Sequence, residues 1–153
     1  MTDEEGLDHI AIRNRLAACT QAGDARKADV YADCFTEDGV LALETPINGR
    51  EAIRAWMSAP SVIPQARPER PSFVSHHLTT SHIELTSADT AKVRTYWLVT
   101  TGVGLDHNGY YDDRLRKVDG GWLIEHRKPR TLWVSEASTT YRPDRAANDD
   151  PAR

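Results

Sequence analysis

The chain contains 153 residues, of which 39% are hydrophobic and 27% charged, a mixture typical of one globular domain. The formal net charge of −4, without a long basic run, argues against a nucleic-acid partner. No stretch reaches the roughly 18 apolar residues that a membrane-spanning helix needs. The acidic first residues also lack the pattern of a secretion signal. We therefore expect a cytoplasmic protein with neither a membrane nor a nucleic-acid partner.

The first half of the chain predicts helices. Thr2 and Glu5 form a capping-box pattern that opens a helix running to about Ala22. Gly23 then suits a helix stop, and Asp24 suits the cap of a second helix. The second helix would bury one face, formed by Val30, Tyr31, Cys34 and Phe35.

A short strand and a third helix come next. The strand is predicted over Val40–Glu44, and Asn48-Gly49 makes a turn after it. The third helix covers Arg50–Met57, with Ile53 and Trp56 facing inward.

The second half of the chain has the alternating pattern of strands. Four prolines between residues 58 and 71 predict a loop, in a position to cover a site. Long strands joined by turns, including one over Gly102–Asn108, are then predicted over Phe73–Leu85, Ala91–Thr101, Gly109–Val118 and Trp122–Arg130.

Helices followed by antiparallel strands predict an α+β fold. We expect a cone-shaped curved antiparallel sheet, an α+β barrel packed with the N-terminal helices, over residues 1–134. Residues 135–153 would form a polar tail, either disordered or lying across a neighbouring molecule. The open mouth of such a cone is a natural ligand pocket.

The cysteines and most of the histidines offer no clear chemistry. Cys19 and Cys34 are expected to be free thiols in a reducing compartment, and a disulfide between them is the alternative. Neither has a basic neighbourhood in the sequence that would make it reactive. His82, His107 and His126 lack the spacing of metal ligands, so we predict no metal site.

Asp24 and the pair His76-His77 are better suited to acid–base chemistry. Neighbouring strand residues point to opposite faces, so one of the two histidines faces the cavity. If Asp24 holds that imidazole, the ring becomes a general base whose charged form the carboxylate stabilises. The alternatives are a helix cap for Asp24 and a structural hydrogen bond for the histidine.

Which residues lie on the same face as the inward histidine depends on whether the strand alternates without interruption. With His76 inward, Leu78, Thr80 and His82 lie on the same face. A β-bulge would reverse this alternation along the strand. The pattern alone therefore leaves the choice between His76 and His77 open.

A set of short motifs resembles a known family. The motifs are Phe35-Thr36-Glu37-Asp38-Gly39, Asn48-Gly49-Arg50-Glu51-Ala52-Ile53, His76 with Glu84, Gly109-Tyr110-Tyr111-Asp112 and Asp119-Gly120-Gly121-Trp122. In order and spacing they resemble the SnoaL-like branch of the nuclear transport factor 2-like superfamily, over about residues 5–132. The chain looks most similar to the group of scytalone dehydratase and hexachlorocyclohexane dehydrochlorinase. The resemblance implies a cofactor-free lyase with an Asp–His dyad, matched here by Asp24 and His76.

The resemblance also implies further site residues. Some relatives carry a tyrosine where this chain has Cys19, so a tyrosine that assists the leaving group must come from elsewhere. Arg127 matches a pocket arginine of relatives, with a surface salt bridge as the alternative. We therefore assign catalysis to Asp24, His76, Tyr96 and Arg127. Substrate contacts are assigned to Tyr31, Trp56, Leu78 and Tyr110, with core packing as the alternative for the aromatic rings.

These observations predict a cofactor-independent lyase, such as a dehydratase, acting on a small aromatic or polycyclic substrate. The alternatives are an isomerase or polyketide cyclase on the same fold, a non-catalytic ligand-binding module, and the small subunit of a ring-hydroxylating oxygenase. Because relatives assemble through the exposed sheet face, we expect a homotrimer, with a dimer as the alternative.

Overall fold

The computed structural model describes residues 2–60 and 73–138. Three helices and a six-stranded sheet lie in these two ranges. The helices are α1 (Asp3–Asp24), α2 (Ala28–Ala32) and α3 (Arg50–Ser58). The strands are β1 (Phe35–Leu41), β2 (Ile47–Asn48), β3 (Val74–Leu85), β4 (Thr90–Thr101), β5 (Gly104–Val118) and β6 (Gly121–Val134).

The sheet is curved and unclosed, with the strand order β2-β1-β6-β5-β4-β3. Each neighbouring pair is antiparallel except β1 and β6, which run parallel, so the sheet is mixed and not wholly antiparallel as predicted. Register shifts interrupt β3–β4, β4–β5 and β5–β6. Such bulges bend and twist a sheet. The α+β architecture predicted from the sequence is confirmed, but the barrel does not close.

Helix α1 begins at the predicted capping box. Thr2 Oγ1 accepts the Glu5 backbone N–H at 3.2 Å, and the Glu5 carboxylate accepts the Thr2 backbone N–H at 2.6 Å. The helix continues to Asp24, so the predicted stop at Gly23 is wrong. Asp24 does not cap α2 either, since that helix follows Lys27 and has no side-chain cap. The apolar inner face of α1 reaches its last turn through Ile12, Leu16, Cys19 and Ala22.

Two strands begin earlier than the pattern predicts. Strand β1 starts at Phe35 because Phe35 pairs with Ile124 of β6, five residues before the predicted start at Val40. Strand β5 starts at Gly104, so the predicted turn over Gly102–Asn108 is mostly strand. Pairing with β4 holds this segment in the sheet although its polar composition suits a turn.

The core lies between α1 and the inner face of the sheet. Along β4 the buried residues alternate strictly with more exposed ones, as a sheet with one covered face requires. The buried residues of β4 are Ala91, Val93, Thr95, Trp97, Val99 and Thr101. Among the helices of the described residues, none has both the length and the apolar character needed to cross a bilayer.

The predicted loop and tail fall largely outside the described ranges. Residues 61–72, which contain most of the proline-rich loop, are among those not described, as are residues 139–153 of the tail. The described start of the tail lies against β5, because Ser135 donates its backbone N–H to the Asp106 carbonyl at 2.7 Å.

Candidate active site

Asp24, the last residue of α1, holds His76 near the start of β3. Asp24 Oδ1 lies 2.6 Å from His76 Nδ1, and Asp24 Oδ2 accepts the His76 backbone N–H at 2.8 Å. An ionised carboxylate only accepts hydrogen bonds, so Nδ1 carries the proton and Nε2 is the basic nitrogen. The two carboxylate oxygens thus fix both the tautomer and the backbone of His76.

Contacts along α1 fix the position of Asp24 over the sheet. Near the start of the helix, Asp8 accepts hydrogen bonds from Lys117 Nζ at 3.0 Å and from Trp122 Nε1 at 2.8 Å. Farther along, Arg15 Nε donates to the Trp122 carbonyl at 2.8 Å. Helix α1 is therefore tied to β5 and β6, and its end has a defined place beside β3.

The structure resolves the choice between the two histidines. His76 is half-buried on the inner face of the sheet, whereas the neighbouring His77 is exposed and has Nε2 3.1 Å from Thr100 Oγ1. His76 is therefore the histidine that meets Asp24.

A β-bulge changes the alternation along β3. Leu78 pairs with Trp97 and Ser81 pairs with Thr95, so β3 has one extra residue between these pairs. Leu78 shares the inner face with His76 as predicted, but Thr80 and His82 are exposed, and the predicted face for them is wrong. Beyond the bulge the inner face continues through Ser81, Ile83 and Leu85.

Aromatic rings of β4 and β5 lie beside the dyad. The Trp97 ring centroid is 6.1 Å from that of His76, 5.5 Å from that of His107 and 5.7 Å from that of Tyr111. The indole lies close against the backbone at Gly109, where an added Cβ would come within 2.7 Å of Trp97 Cζ2. These rings give the inner face near His76 an aromatic wall.

Arg127 lies beneath this wall in a buried ion pair. Its Nε and Nη2 donate to the two carboxylate oxygens of Asp113 at 3.0 and 2.7 Å. The guanidinium carbon is 4.2 Å from the Tyr111 ring centroid, and Nη1 donates to Cys19 Sγ at 3.4 Å. Arg127 is only 2% exposed, so the predicted alternative of a surface salt bridge is wrong. Arg127 therefore lies buried against Tyr111 and supports that ring, a position that does not fit the predicted role of Arg127 in catalysis.

Tyr96 and Tyr110 lie on the outer face of the sheet. Tyr96 is 41% exposed, and its ring centroid is 5.6 Å from that of Tyr110. Strand alternation puts both on the face opposite Trp97 and Tyr111. The predicted roles of Tyr96 in catalysis and Tyr110 in substrate binding therefore do not fit the position of His76. The inward tyrosine of β5 is Tyr111, which pairs with Thr95 of the strictly alternating β4 and is identifiable from that register.

Tyr31 and Trp56 meet at α2 and α3. Tyr31 is buried, and its ring centroid is 5.5 Å from that of Phe35 and 6.4 Å from that of Trp56. Burial raises the pKa of Tyr31 well above its ordinary value, and that of Tyr111 likewise, so both hydroxyls stay protonated. Trp56 is 41% exposed, and the predicted inward orientation is wrong.

Comparison with known proteins places this arrangement in a family. The model of the SnoaL-like domain matches residues 4–128. The chain belongs to the SnoaL-like domain family. No curated protein matches it.

Solved structures of similar proteins share the fold. An aspartate-to-asparagine variant of Rv3472, a protein of unknown function from Mycobacterium tuberculosis, is 28% identical with a TM-score of 0.73, covering 86% of this chain and 76% of that one. A "putative scytalone dehydratase" from Novosphingobium aromaticivorans is 23% identical with a TM-score of 0.73, covering 94% of each chain. ActVI-ORFA from Streptomyces coelicolor is 21% identical with a TM-score of 0.67, covering 82% of this chain and 97% of that one.

The two thiols of this SnoaL-like domain lie together in the core. Cys19 and Cys34 are both free and buried. A hydrogen bond from Cys19 and the nearby Arg15 guanidinium lower the pKa of Cys34 to about 7, against the effect of burial. Arg15 Nη1 is 3.9 Å from Cys34 Sγ, and Arg127 contacts Cys19. The thiols therefore have the basic neighbourhood that their sequence surroundings do not show.

A second carboxylate–imidazole pair was not predicted from the sequence. Asp106 Oδ1 lies 2.6 Å from His107 Nδ1, and Asp106 is fully buried. These residues fall in the segment predicted as a turn, so their inward position could not be expected. The sequence feature that could have indicated this pair is that Asp106 and His107 are adjacent. In residues 2–60 and 73–138, no group of three or more His, Cys, Asp or Glu side chains is arranged to hold a metal ion.

Proposed function

We propose that this SnoaL-like protein is a cofactor-independent lyase in which His76 is the general base and Asp24 its partner. The observation that carries this proposal is the contact of both Asp24 carboxylate oxygens with His76, at 2.6 and 2.8 Å. This geometry leaves Nε2 as the basic atom on the far side of the ring from Asp24.

The position of the dyad suits a base that becomes charged during the reaction. When His76 Nε2 takes a proton from carbon, the ring becomes an imidazolium in contact with the Asp24 carboxylate. Asp24 is the last residue of a 22-residue helix, so His76 lies near the negative end of the α1 dipole. No basic residue in the last turn offsets this negative end, which therefore also stabilises the imidazolium. A positioned base of this kind contributes about 10²–10⁴-fold to a rate.

The surrounding side chains support an aromatic substrate. Trp97, Tyr111 and Leu78 lie on the inner face with His76, and flat rings pack well against such a surface. A protonated Tyr111 hydroxyl is a suitable donor to the oxyanion that forms when the proton leaves a carbon beside a carbonyl. Tyr111 thus takes the role first assigned to Tyr96. The reaction would lose water or another small fragment, and the scytalone dehydratase name of one structural neighbour supports this class.

A chromogenic β-elimination tests the proposal. In β-(p-nitrophenoxy)propiophenone, removal of the proton beside the carbonyl expels p-nitrophenolate, which is yellow, and leaves phenyl vinyl ketone. We expect His76→Ala and Asp24→Asn each to lower kcat/KM by about 10²–10⁴-fold. His77→Ala is the matched control, because His77 is on the opposite face of the same strand, and it should retain the wild-type rate.

Each alternative gives a different result. A wild-type protein no faster than His76→Ala and Asp24→Asn would overturn the proposed lyase. Exchange of the same proton with deuterated solvent, without release of p-nitrophenolate, would instead favour an isomerase or cyclase on this fold. Circular dichroism and thermal unfolding of each variant would separate lost chemistry from lost structure.

A further inference from the structure

Asp106 and His107 repeat the contact of the dyad on a neighbouring strand. In both pairs a carboxylate oxygen lies 2.6 Å from the histidine Nδ1. Asp106 also accepts hydrogen bonds from Thr101 Oγ1 at 3.0 Å and from Ser138 Oγ at 2.7 Å. Acceptance of several donors is the pattern of an ionised carboxylate, so His107 is held at Nδ1 by a buried anion.

The two histidines lie at one level of the sheet. His76 of β3 pairs with Val99 of β4, and Val99 pairs with His107 of β5. Two strand spacings separate their backbones by about 10 Å. The ring centroids are nevertheless 6.4 Å apart and the ring planes are perpendicular, at 88°. The imidazoles therefore lean toward each other over Val99, and both lie beside the Trp97 ring.

Both imidazoles keep part of their surface exposed to solvent. The side chain of His76 is 28% exposed and that of His107 is 11% exposed, whereas the Asp106 side chain is completely buried. Because Nδ1 of each ring faces a carboxylate, each Nε2 is directed away from it. Two acid–base groups a few ångströms apart suit a reaction that removes a proton at one atom and delivers one at the next.

We propose that His107, positioned by Asp106, is the general acid that protonates the departing oxygen, an inference that rests on the proposed lyase function. His76 Nε2 takes the proton from carbon, and the electron pair of that C–H bond forms the new C=C bond. In this step His107 enters as the imidazolium, with its Nδ1–H on Asp106 and a second proton on Nε2. The C–O bond breaks, and the pair it held forms an O–H bond with that Nε2 proton. Water leaves, His76 ends as the imidazolium and His107 as the neutral ring, and proton exchange with solvent restores both.

Two substrates with the same reacting proton separate the acid from the base. β-Hydroxypropiophenone and β-(p-nitrophenoxy)propiophenone both yield phenyl vinyl ketone, but only hydroxide needs a proton to leave. The variant is His107→Asn, whose side-chain amide nitrogen takes the place of Nδ1 and keeps a donor for Asp106. We expect a loss of about 10²–10⁴-fold in kcat/KM for the hydroxy ketone and a much smaller loss for the nitrophenoxy ketone. Asp106→Asn, which removes the positioning charge, should show the same selectivity with a smaller loss.

The outcomes distinguish this inference from the proposed function. Loss of both activities in His76→Ala, with selective loss in His107→Asn, supports both assignments. Equal rates or equal losses on the two substrates in His107→Asn would overturn the role of His107 alone, since His76 would then return the proton itself. No wild-type elimination of the nitrophenoxy ketone would overturn the lyase function instead.

A measurement on the wild-type protein avoids dependence on any variant. With β-aryloxypropiophenones of graded phenol acidity, a general acid makes the rate nearly independent of the leaving group. A steep dependence on phenol acidity would show that no proton is delivered, and would contradict the role of His107.

Discussion

The two faces of the sheet carry the same chemical unit in different surroundings. On the inner face, Arg127 contacts both carboxylate oxygens of Asp113 and covers the Tyr111 ring at 4.2 Å. On the outer face, Arg94 contacts both oxygens of the adjacent Asp112 at 2.7 and 3.0 Å and covers the Tyr110 ring at 4.4 Å. The side chains are 3% and 0% exposed in the inner ion pair but 50% and 40% exposed in the outer one.

This comparison shows that contact distance does not measure the energy of an ion pair. Solvent screens the outer pair, and such exposed pairs contribute little to stability. The inner pair is shielded, and removal of one partner leaves a charge buried without compensation. The inner unit is therefore a rigid support under Tyr111, whereas the outer unit is a solvated surface contact.

The largest effect is expected on the inner pair. Arg127→Met removes the cation and leaves the Asp113 carboxylate buried, which should lower the free energy of unfolding by about 3–5 kcal/mol. Urea denaturation followed by circular dichroism measures this change. A loss as small as that of an exposed pair would show that Asp113 is protonated or solvated, and would remove the distinction between the faces.

An intermediate effect is expected at Asp8. Its carboxylate is 14% exposed and its partner Lys117 is 20% exposed, between the values of the inner and outer pairs. Loss of the charge-assisted hydrogen bonds from Lys117 and Trp122 in Asp8→Asn should lower stability by about 1–2 kcal/mol at neutral pH. Urea denaturation gives this value too. A change as large as that at Arg127 would contradict a dependence on exposure.

The effect of Asp8 should also depend on pH. Hydrogen bonds from Lys117 and Trp122 lower the pKa of Asp8 in the folded protein. Its contribution is therefore complete above the ordinary carboxyl pKa of about 4 and is lost as the pH falls below it. The stability difference between wild type and Asp8→Asn should shrink between about pH 4 and pH 2. A difference that stays constant over that range would contradict the pKa shift.

The smallest effect is expected on the outer pair. Arg94→Met should lower the free energy of unfolding by at most about 1 kcal/mol, and added salt should reduce that difference further. Thermal unfolding at low and high salt measures both. A loss equal to that of Arg127→Met would show that the outer face is covered, for example by another copy of the chain.

Much of the fold could be predicted from local patterns in the sequence. The capping box at Thr2 and Glu5, the third helix and the alternation of β4 depend on nearby residues, and the structure confirms them. The sequence pattern paired Asp24 with either His76 or His77, and only the family resemblance selected His76, 52 residues away. The resemblance also implied the family, which the match over residues 4–128 confirms.

The remaining features depend on pairing between distant strands. The bulge in β3, which gives His76 and Ile83 the same face, follows from the register with β4. The segment at Asp106 and His107 has turn-like composition, and pairing with β4 overrides it. The choice of Tyr111 over Tyr110 likewise needed the β4–β5 register. Periodicity within a single strand does not contain this information.

Gly109 shows how an absent side chain lets neighbouring strands and an aromatic ring pack closely. A methyl group there would lie 1.9 Å from the Arg130 carbonyl oxygen as well as against the Trp97 ring. Because nothing projects from this position, the indole lies directly against β5 while its ring stays beside the His76 imidazole. Even a single methyl added at Gly109 would force the Arg130 backbone or the indole to move. The place of the aromatic ring next to His76 therefore depends on the absence of one carbon atom on another strand.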